Sequence, residues 1–149
     1  MEKFHEVVIC EGEYKAAAIW SIQGLGAKLQ ICSDDGLPWL NPDQMARFEP
    51  IGTCALPGIS YVKHVEMRAE LDRWLKDVGA RKVIVAFDDE DNSGKPMHKR
   101  FDAVIAARVL AIQLATTLHV VARVCILPKE WRNEHGKADW DGALAKFAQ

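Results

Sequence analysis

Short apolar runs alternate along the chain with longer stretches in which apolar positions recur every three or four residues. The short runs, rich in β-branched residues, predict strands at residues 6–11, 27–33, 51–56, 82–87 and 119–127. The longer stretches predict helices at residues 14–25, 64–78, 99–118 and 140–148. Segment 34–50 is rich in turn-forming residues and predicts neither. Strands that alternate with helices predict an α/β fold with a mainly parallel central sheet and helices on both faces.

Two of these elements have especially clear patterns. In residues 64–78, Leu71, Trp74, Leu75 and Val78 follow the i, i+3, i+4, i+7 spacing of an amphipathic helix, and Gly79 is the expected stop. Residues 82–87 are almost continuously apolar, as expected for a parallel strand covered on both faces.

Length and composition narrow the class of protein. With 149 residues, the chain predicts one domain, and no apolar run approaches the roughly 18 residues of a membrane span. The N-terminus lacks the apolar segment of a secretory signal. The four cysteines contain no C-x-x-C pair, which predicts buried thiols in a reducing, cytoplasmic compartment. Because the net charge is −2, nucleic-acid binding would need a local basic patch or metal ions.

The sequence places carboxylates directly after two predicted strands. Glu11 and Glu13 follow the first strand in a Glu-Gly-Glu motif. The strongest strand is followed by four consecutive carboxylates, which are Asp88, Asp89, Glu90 and Asp91. Parallel sheets bind ligands at the carboxyl ends of their strands, so both groups lie where a site is expected.

Four adjacent carboxylates repel one another unless a counterion is present. Mg²⁺ or Mn²⁺ would relieve this repulsion, since both prefer oxygen ligands. The alternative is a solvated acidic turn, in which residues 92–94 with Gly94 make the bend. The segment also matches the start of a calcium-binding EF-hand loop, but Arg100 stands where the twelfth-position glutamate is required, which excludes that site.

A third acidic pair, Asp139 and Asp141, lies in the motif GKADWDGAL. Asp139 is a suitable N-cap for the last helix, and Asp141 would lie in its first turn. In the alternative interpretation, one of them joins the metal site and Lys137 contacts a phosphate nearby. Because the apolar stripe of this helix leaves Asp141 to one side, we expect Asp139 to be the cap and Asp141 to face the acidic pocket.

Three motifs in this order resemble the TOPRIM domains of bacterial primases, topoisomerases and some nucleases. EGEYKAAAIW, VIVAFDDED and GKADWDGALA together are similar to a TOPRIM-like domain of unknown function found in phage- and plasmid-type primase-helicase proteins. The resemblance covers residues 6–147, with segment 27–62 matching only loosely, and implies one TOPRIM-like domain over the whole chain.

The resemblance implies roles for individual residues. Glu11 would be the catalytic acid or base, or would orient a metal, and Lys15 would contact phosphate. Gly12 would allow a close backbone approach at the turn. The metal pair would be Asp88 with either Glu90 or Asp91. The sequence departs from the family at this point, because the Asp-x-Asp of the second motif begins at residue 89, one position later than the family pattern.

The implied function is Mg²⁺-dependent phosphoryl or nucleotidyl transfer in DNA replication, on nucleotides or nucleic acid, together with primase or helicase domains. Two alternatives stay open. One is a non-catalytic module that serves assembly in a replication protein of a mobile element. The other is a receiver-like signalling domain, which would use a phosphate-accepting aspartate and a lysine after a late strand, here Lys129.

Overall fold

The computed structural model describes residues 2–19, 51–58, 60, 63–99, 102–140 and 142–143. Its strands are β1 (Glu6–Glu11), β2 (Gly52–Leu56), β3 (Lys82–Ala86), β4 (Asp89–Glu90), β5 (Val121–Val124) and β6 (Lys137–Ala138). Its helices are α1 (residues 13–19 as described), α2 (Val65–Val78) and α3 (Ala103–Leu118), with 3-10 turns at Met97–Lys99 and Lys129–Trp131. The predicted strand 27–33, the end of the first predicted helix and residues 144–148 lie outside the described residues.

Four strands form one all-parallel sheet in the order β2-β1-β3-β5. This confirms the predicted α/β fold with a parallel central sheet. Among the described strands, β2 lies on one side of β1, and the chain then crosses to place β3 on the other side. The carboxyl ends of β1 and β3 therefore flank a topological switch point, where open α/β sheets bind their ligands.

The main core lies between the sheet and helices α2 and α3. It is built from side chains that alternate along the strands and from the apolar stripes of both helices; its most deeply buried members are Val7, Ile9, Leu75, Val78, Val83, Val85, Leu110 and Leu114. Val8, Cys10 and Ala86 alternate onto the opposite face and are also buried. Burial on both faces explains why the strands are continuously apolar.

Helix ends follow local capping signals. As predicted, α2 ends at Gly79, which adopts a left-handed φ of 76° and donates its N–H to the carbonyls of Leu75 and Lys76. The predicted start of α3 at residue 99 is wrong, because the carboxylate of Asp102 caps the helix by accepting the N–H groups of Val104 and Ile105.

The last strand of the parallel sheet is shorter than predicted. The prediction covered residues 119–127, whereas β5 contains only Val121–Val124. His119 is unavailable to the strand because it ends α3 in a left-handed conformation, with φ 55° and its N–H donated to the carbonyl of Ala115. None of the helices in the described part of the chain is both long and apolar enough to cross a membrane.

A two-stranded antiparallel ribbon, absent from the prediction, lies beyond the parallel sheet. Asp89 of β4 pairs with Ala138 of β6, and Glu90 pairs with Lys137. Below it lies a small apolar group, the edge cluster, which consists of Leu127, Ala138, Ala143, Trp131 and Trp140. The ribbon joins the second acidic motif to the third, so residues 47 and 49 positions apart in the sequence become neighbours.

Candidate functional site

The turn after β1 brings the first acidic motif to the switch point. Gly12 has a left-handed φ of 84°, donates its N–H to the Leu56 carbonyl at 2.8 Å and accepts the N–H of Ala16 as α1 begins. No described heavy atom lies within 4 Å of the place where a Cβ at Gly12 would stand. The glycine is therefore needed for its left-handed backbone conformation, and the close approach implied by the family resemblance stays a prediction.

Asp88 is the central side chain of the site. It follows β3, and its side chain is only 5% exposed. Lys15, in the first turn of α1, donates from Nζ to Asp88 Oδ2 at 2.5 Å. Lys137 of the ribbon places its Nζ 3.9 Å from the same oxygen. Asp88 Oδ1 is buried and has no hydrogen-bond partner among the described residues. Because a buried charge needs partners, this carboxylate is satisfied on one side only.

Asp89 forms a separate ion pair. Its Oδ2 accepts a hydrogen bond of 2.6 Å from Nε of Arg132, and both side chains are largely shielded from solvent. The hydrogen bond and charge of Asp89 raise the pKa of Arg132. The sequence analysis did not identify Arg132. In the sequence, Arg132 is marked only by its position shortly before the third motif. That position becomes informative only when the pairing of β4 with β6 is known.

The remaining acids of the second motif form a solvated turn. Glu90 is exposed and accepts a hydrogen bond of 2.6 Å from Lys95. The exposed Asp91 accepts the N–H of Ser93 at 2.9 Å, and hydrogen bonds from Ser93 lower the pKa of Asp91. Gly94 lies in the same turn, as the alternative interpretation expected.

The structure does not assemble the predicted cluster of Glu11, Asp88, Glu90 and Asp91. Among the residues it describes, no group of three or more His, Cys, Asp or Glu side chains could hold a metal ion. Glu11 ends β1 and Asp88 follows the end of the neighbouring β3, and Lys15 is the described side chain that joins the two elements at Asp88. Glu90 and Asp91 follow the ribbon away from Asp88 and use nearer partners.

The third motif contributes one cap and one cation. Asp139 Oδ1 accepts the N–H of Gly142 at 2.8 Å, which confirms the predicted helix cap. Asp141 lies outside the described residues. Lys137 places its Nζ 3.9 Å from Asp88 Oδ2, and its predicted contact with phosphate stays a prediction. Glu13 is exposed in the first turn of α1, where a carboxylate favours the helix dipole.

Among the described residues, a divalent cation would find one carboxylate at this site, that of Asp88, with the ammonium groups of Lys15 and Lys137 beside it. Mg²⁺ usually keeps several waters and is bound through one or two carboxylates plus substrate phosphates, so a cage of protein ligands is not required. The unpartnered Asp88 Oδ1 is the oxygen that such an ion would use. A cavity of about 10 Å³ beside Asp88 and Asp89 has room for about one water molecule.

The chain was also compared with known proteins. No family model matches it, no curated protein matches it, and no solved structure matches it. Similarity to TOPRIM domains therefore stays a prediction made from the three motifs.

Proposed function

We propose that this chain is a TOPRIM-type module for Mg²⁺-dependent phosphoryl or nucleotidyl transfer in DNA replication, acting on nucleotides or nucleic acid together with primase or helicase domains. The observation that carries the proposal is the buried Asp88, held by Lys15 through one oxygen and unpartnered at the other among the described residues. Asp88 occupies the switch point of the sheet, where α/β proteins bind their ligands.

The chain's own residues supply distinct functions in this proposal. Asp88 Oδ1 would anchor the ion, with waters and phosphate oxygens completing its coordination. When bound, Mg²⁺ neutralises charge on the transferring phosphoryl group. Lys15 and Lys137 hold their ammonium groups where a phosphate bound to that ion would meet them. Glu11 lies at the end of the adjacent strand and remains our candidate for acid or base catalysis.

A non-catalytic binding module is the second candidate. Among the described residues, no group of three or more His, Cys, Asp or Glu side chains could hold a metal ion, and catalysis by two metal ions would need several such ligands. This favours a module that binds a metal–nucleotide complex and leaves the chemistry to partner domains. A receiver-like domain has less support, because the lysine on Asp88 is Lys15 from α1, whereas the expected Lys129 is exposed in a 3-10 turn.

Binding of a preformed complex of Mn²⁺ with a non-hydrolysable ATP analogue tests the proposal. By calorimetry, we expect Asp88→Asn to weaken binding by at least about tenfold, because the amide loses the anchoring charge. Asp91→Asn is the matched control, since Asp91 is exposed at the same edge and only stabilises its own turn. Thermal melts would confirm that both variants fold.

Equal affinity in the wild type and Asp88→Asn would contradict the proposed site. Incubation with acetyl phosphate separates the signalling alternative. A stable acyl phosphate on Asp88, found by mass spectrometry, would favour a receiver-like domain. Nucleotidyl transfer by the chain with its partner domains, abolished by Glu11→Gln, would favour the catalytic module over the binding module.

A further inference from the structure

Helix α3 is apolar on its outer face as well as on the face that packs in the main core. Ile105, Val109 and Ile112 follow i, i+4, i+7 spacing on the outer face and are 57%, 45% and 66% exposed. Arg108 is the one charged residue among the 16 residues of the helix. Because a helix that is apolar on all sides is normally buried on all sides, the outer face of α3 is expected to have a partner.

Thr116 extends this face by one turn without adding an unsatisfied polar group. Its side chain is exposed, and its hydroxyl donates to the carbonyl of Ile112 at 2.8 Å. A hydroxyl that is already bonded to its own helix can enter an interface without losing its hydrogen bond. Ile105, Val109, Ile112 and Thr116 together form the outer stripe, which carries no charge.

We infer that the outer stripe binds the outer stripe of a second copy of this chain, with the two α3 helices antiparallel. The stripe is self-complementary in this direction, because Ile105 of one copy lies opposite Thr116 of the other and Val109 lies opposite Ile112. Both contacts pair a larger side chain with a smaller one, and a twofold axis repeats each of them. This inference is independent of the proposed function.

The charges at the two ends of α3 favour a second copy in the antiparallel direction. The exposed Asp102 begins the helix and the exposed His119 ends it. Antiparallel pairing brings Asp102 of one copy near His119 of the other, where an imidazole N–H can donate to the carboxylate. It also opposes the two helix dipoles, whereas parallel pairing would align the dipoles and bring two Asp102 carboxylates together.

The size of the outer stripe predicts a weak dimer whose two candidate sites stay open. A stable interface buries about 800 Å² on each partner, and four side chains of one helix cover less, so we expect a dissociation constant on the order of 100 µM. The chain is then a monomer at low micromolar concentration. The cavity beside Asp88 is lined by the first turns of α3, so antiparallel pairing places the two cavities at opposite ends of a helix pair about 24 Å long.

Sedimentation velocity between about 10 µM and about 1 mM tests the inference, since this interval lies on both sides of the expected dissociation constant. The sedimentation coefficient of the wild type should rise with concentration. Ile112→Lys should weaken the dimer by at least about tenfold, because the interface would then bury an unpaired ammonium group. Thr117→Lys is the matched control and should change the dissociation constant by no more than about twofold: Thr117 is exposed on the same helix but lines the cavity between α2 and α3, outside the outer stripe.

Mixing two single variants tests the antiparallel direction. Val109→Glu and Ile112→Lys should each be monomeric alone, because each homodimer would bury two unpaired charges. In the mixture, Glu at position 109 of one chain meets Lys at position 112 of the other, and the second contact stays apolar. The mixture should therefore sediment as a dimer at concentrations at which neither variant does. Parallel pairing would leave both charges unpaired and would give no such recovery.

Three outcomes would overturn the inference: a wild type that stays monomeric up to about 1 mM, a dimer that Ile112→Lys leaves intact, or a mixture that recovers no dimer. Circular dichroism checks that each variant is folded, and Ile105→Lys replaces Ile112→Lys if the latter does not fold. The proposed function is tested separately, because Ile112→Lys should bind the Mn²⁺–nucleotide complex with wild-type affinity. Loss of that complex in every folded chain would contradict the proposed site and leave the dimer unaffected.

Discussion

The main core and the carboxyl edge of the sheet are held together by different interactions. Between the sheet and helices α2 and α3, the buried side chains of the described residues are apolar. At the carboxyl edge, two aspartates are buried, and each is paired with a cation from another element. The apolar support of this edge is the small edge cluster.

The two regions are expected to determine different properties: the main core determines folding stability, and the carboxyl edge determines ligand binding. Burial of apolar side chains is the main favourable term in folding, at roughly 25 cal/mol for each Å² removed from water. Buried ion pairs contribute little net stability, because desolvation offsets most of their attraction. We therefore expect changes in the main core to lower the free energy of unfolding, and conservative changes at the carboxyl edge to alter ligand binding first.

The largest expected effect is that of Leu110→Ala. Leu110 lies on α3 and is fully buried in the main core, so its truncation should lower the free energy of unfolding by about 2–5 kcal/mol. Ile112→Ala is the matched control on the same helix, since Ile112 is 66% exposed and should cost no more than about 0.5 kcal/mol. Urea denaturation measures both. Similar costs at the two positions would mean that the main core does not carry the stability of the fold.

The second prediction uses a thiol to show that the main core excludes charge. Cys54 of β2 packs against this core, and burial raises its pKa from 9.0 to about 11. The folded protein then keeps the thiol proton at a pH where the unfolded chain has lost it. Stability from this group is complete below pH 9 and is lost as pH rises through about 11, by on the order of 2 kcal/mol.

Denaturation between pH 8 and pH 11 tests this prediction. Lysines and tyrosines also titrate in that interval, so the informative quantity is the difference in slope between the wild type and Cys54→Ala. Cys125 offers a comparison at the carboxyl edge: it is exposed, and native alkylation followed by peptide mapping should modify it well before Cys54. Equal slopes, or faster modification of Cys54, would show that charge enters the main core more easily than we infer.

The sequence predicts the main core better than the carboxyl edge. Strand β3 and helix α2 were predicted within one residue at each end, because a continuous apolar run and an i, i+3, i+4, i+7 stripe each determine their element locally. Parallel pairing of β1 with β3 also made the neighbourhood of the first two motifs predictable.

The arrangement of the carboxyl edge depends on information that local patterns do not contain. The two-residue strands β4 and β6 are too short for any periodicity, so the pairing of Asp89 with Arg132 had no visible basis. The register of β1 with β3, in which Cys10 pairs with Ala86, also depends on tertiary packing. The sequence thus identifies chemically important residues without determining which of them meet.

The smallest expected effect concerns Asp139, for which the sequence allowed two interpretations, a helix cap and a metal ligand. Its Oδ1 accepts the Gly142 N–H at 2.8 Å, so Asp139→Ala should lower the free energy of unfolding by about 0.5–2 kcal/mol, whereas Asp139→Asn, which caps about as well, should change it little. Neither variant should alter the affinity for the Mn²⁺–nucleotide complex by more than about twofold, because the carboxylate faces its own helix. A large loss of affinity in Asp139→Asn, with stability unchanged, would place Asp139 in the site beside Asp88. Asp139 would then be a ligand-binding residue and not only a helix cap.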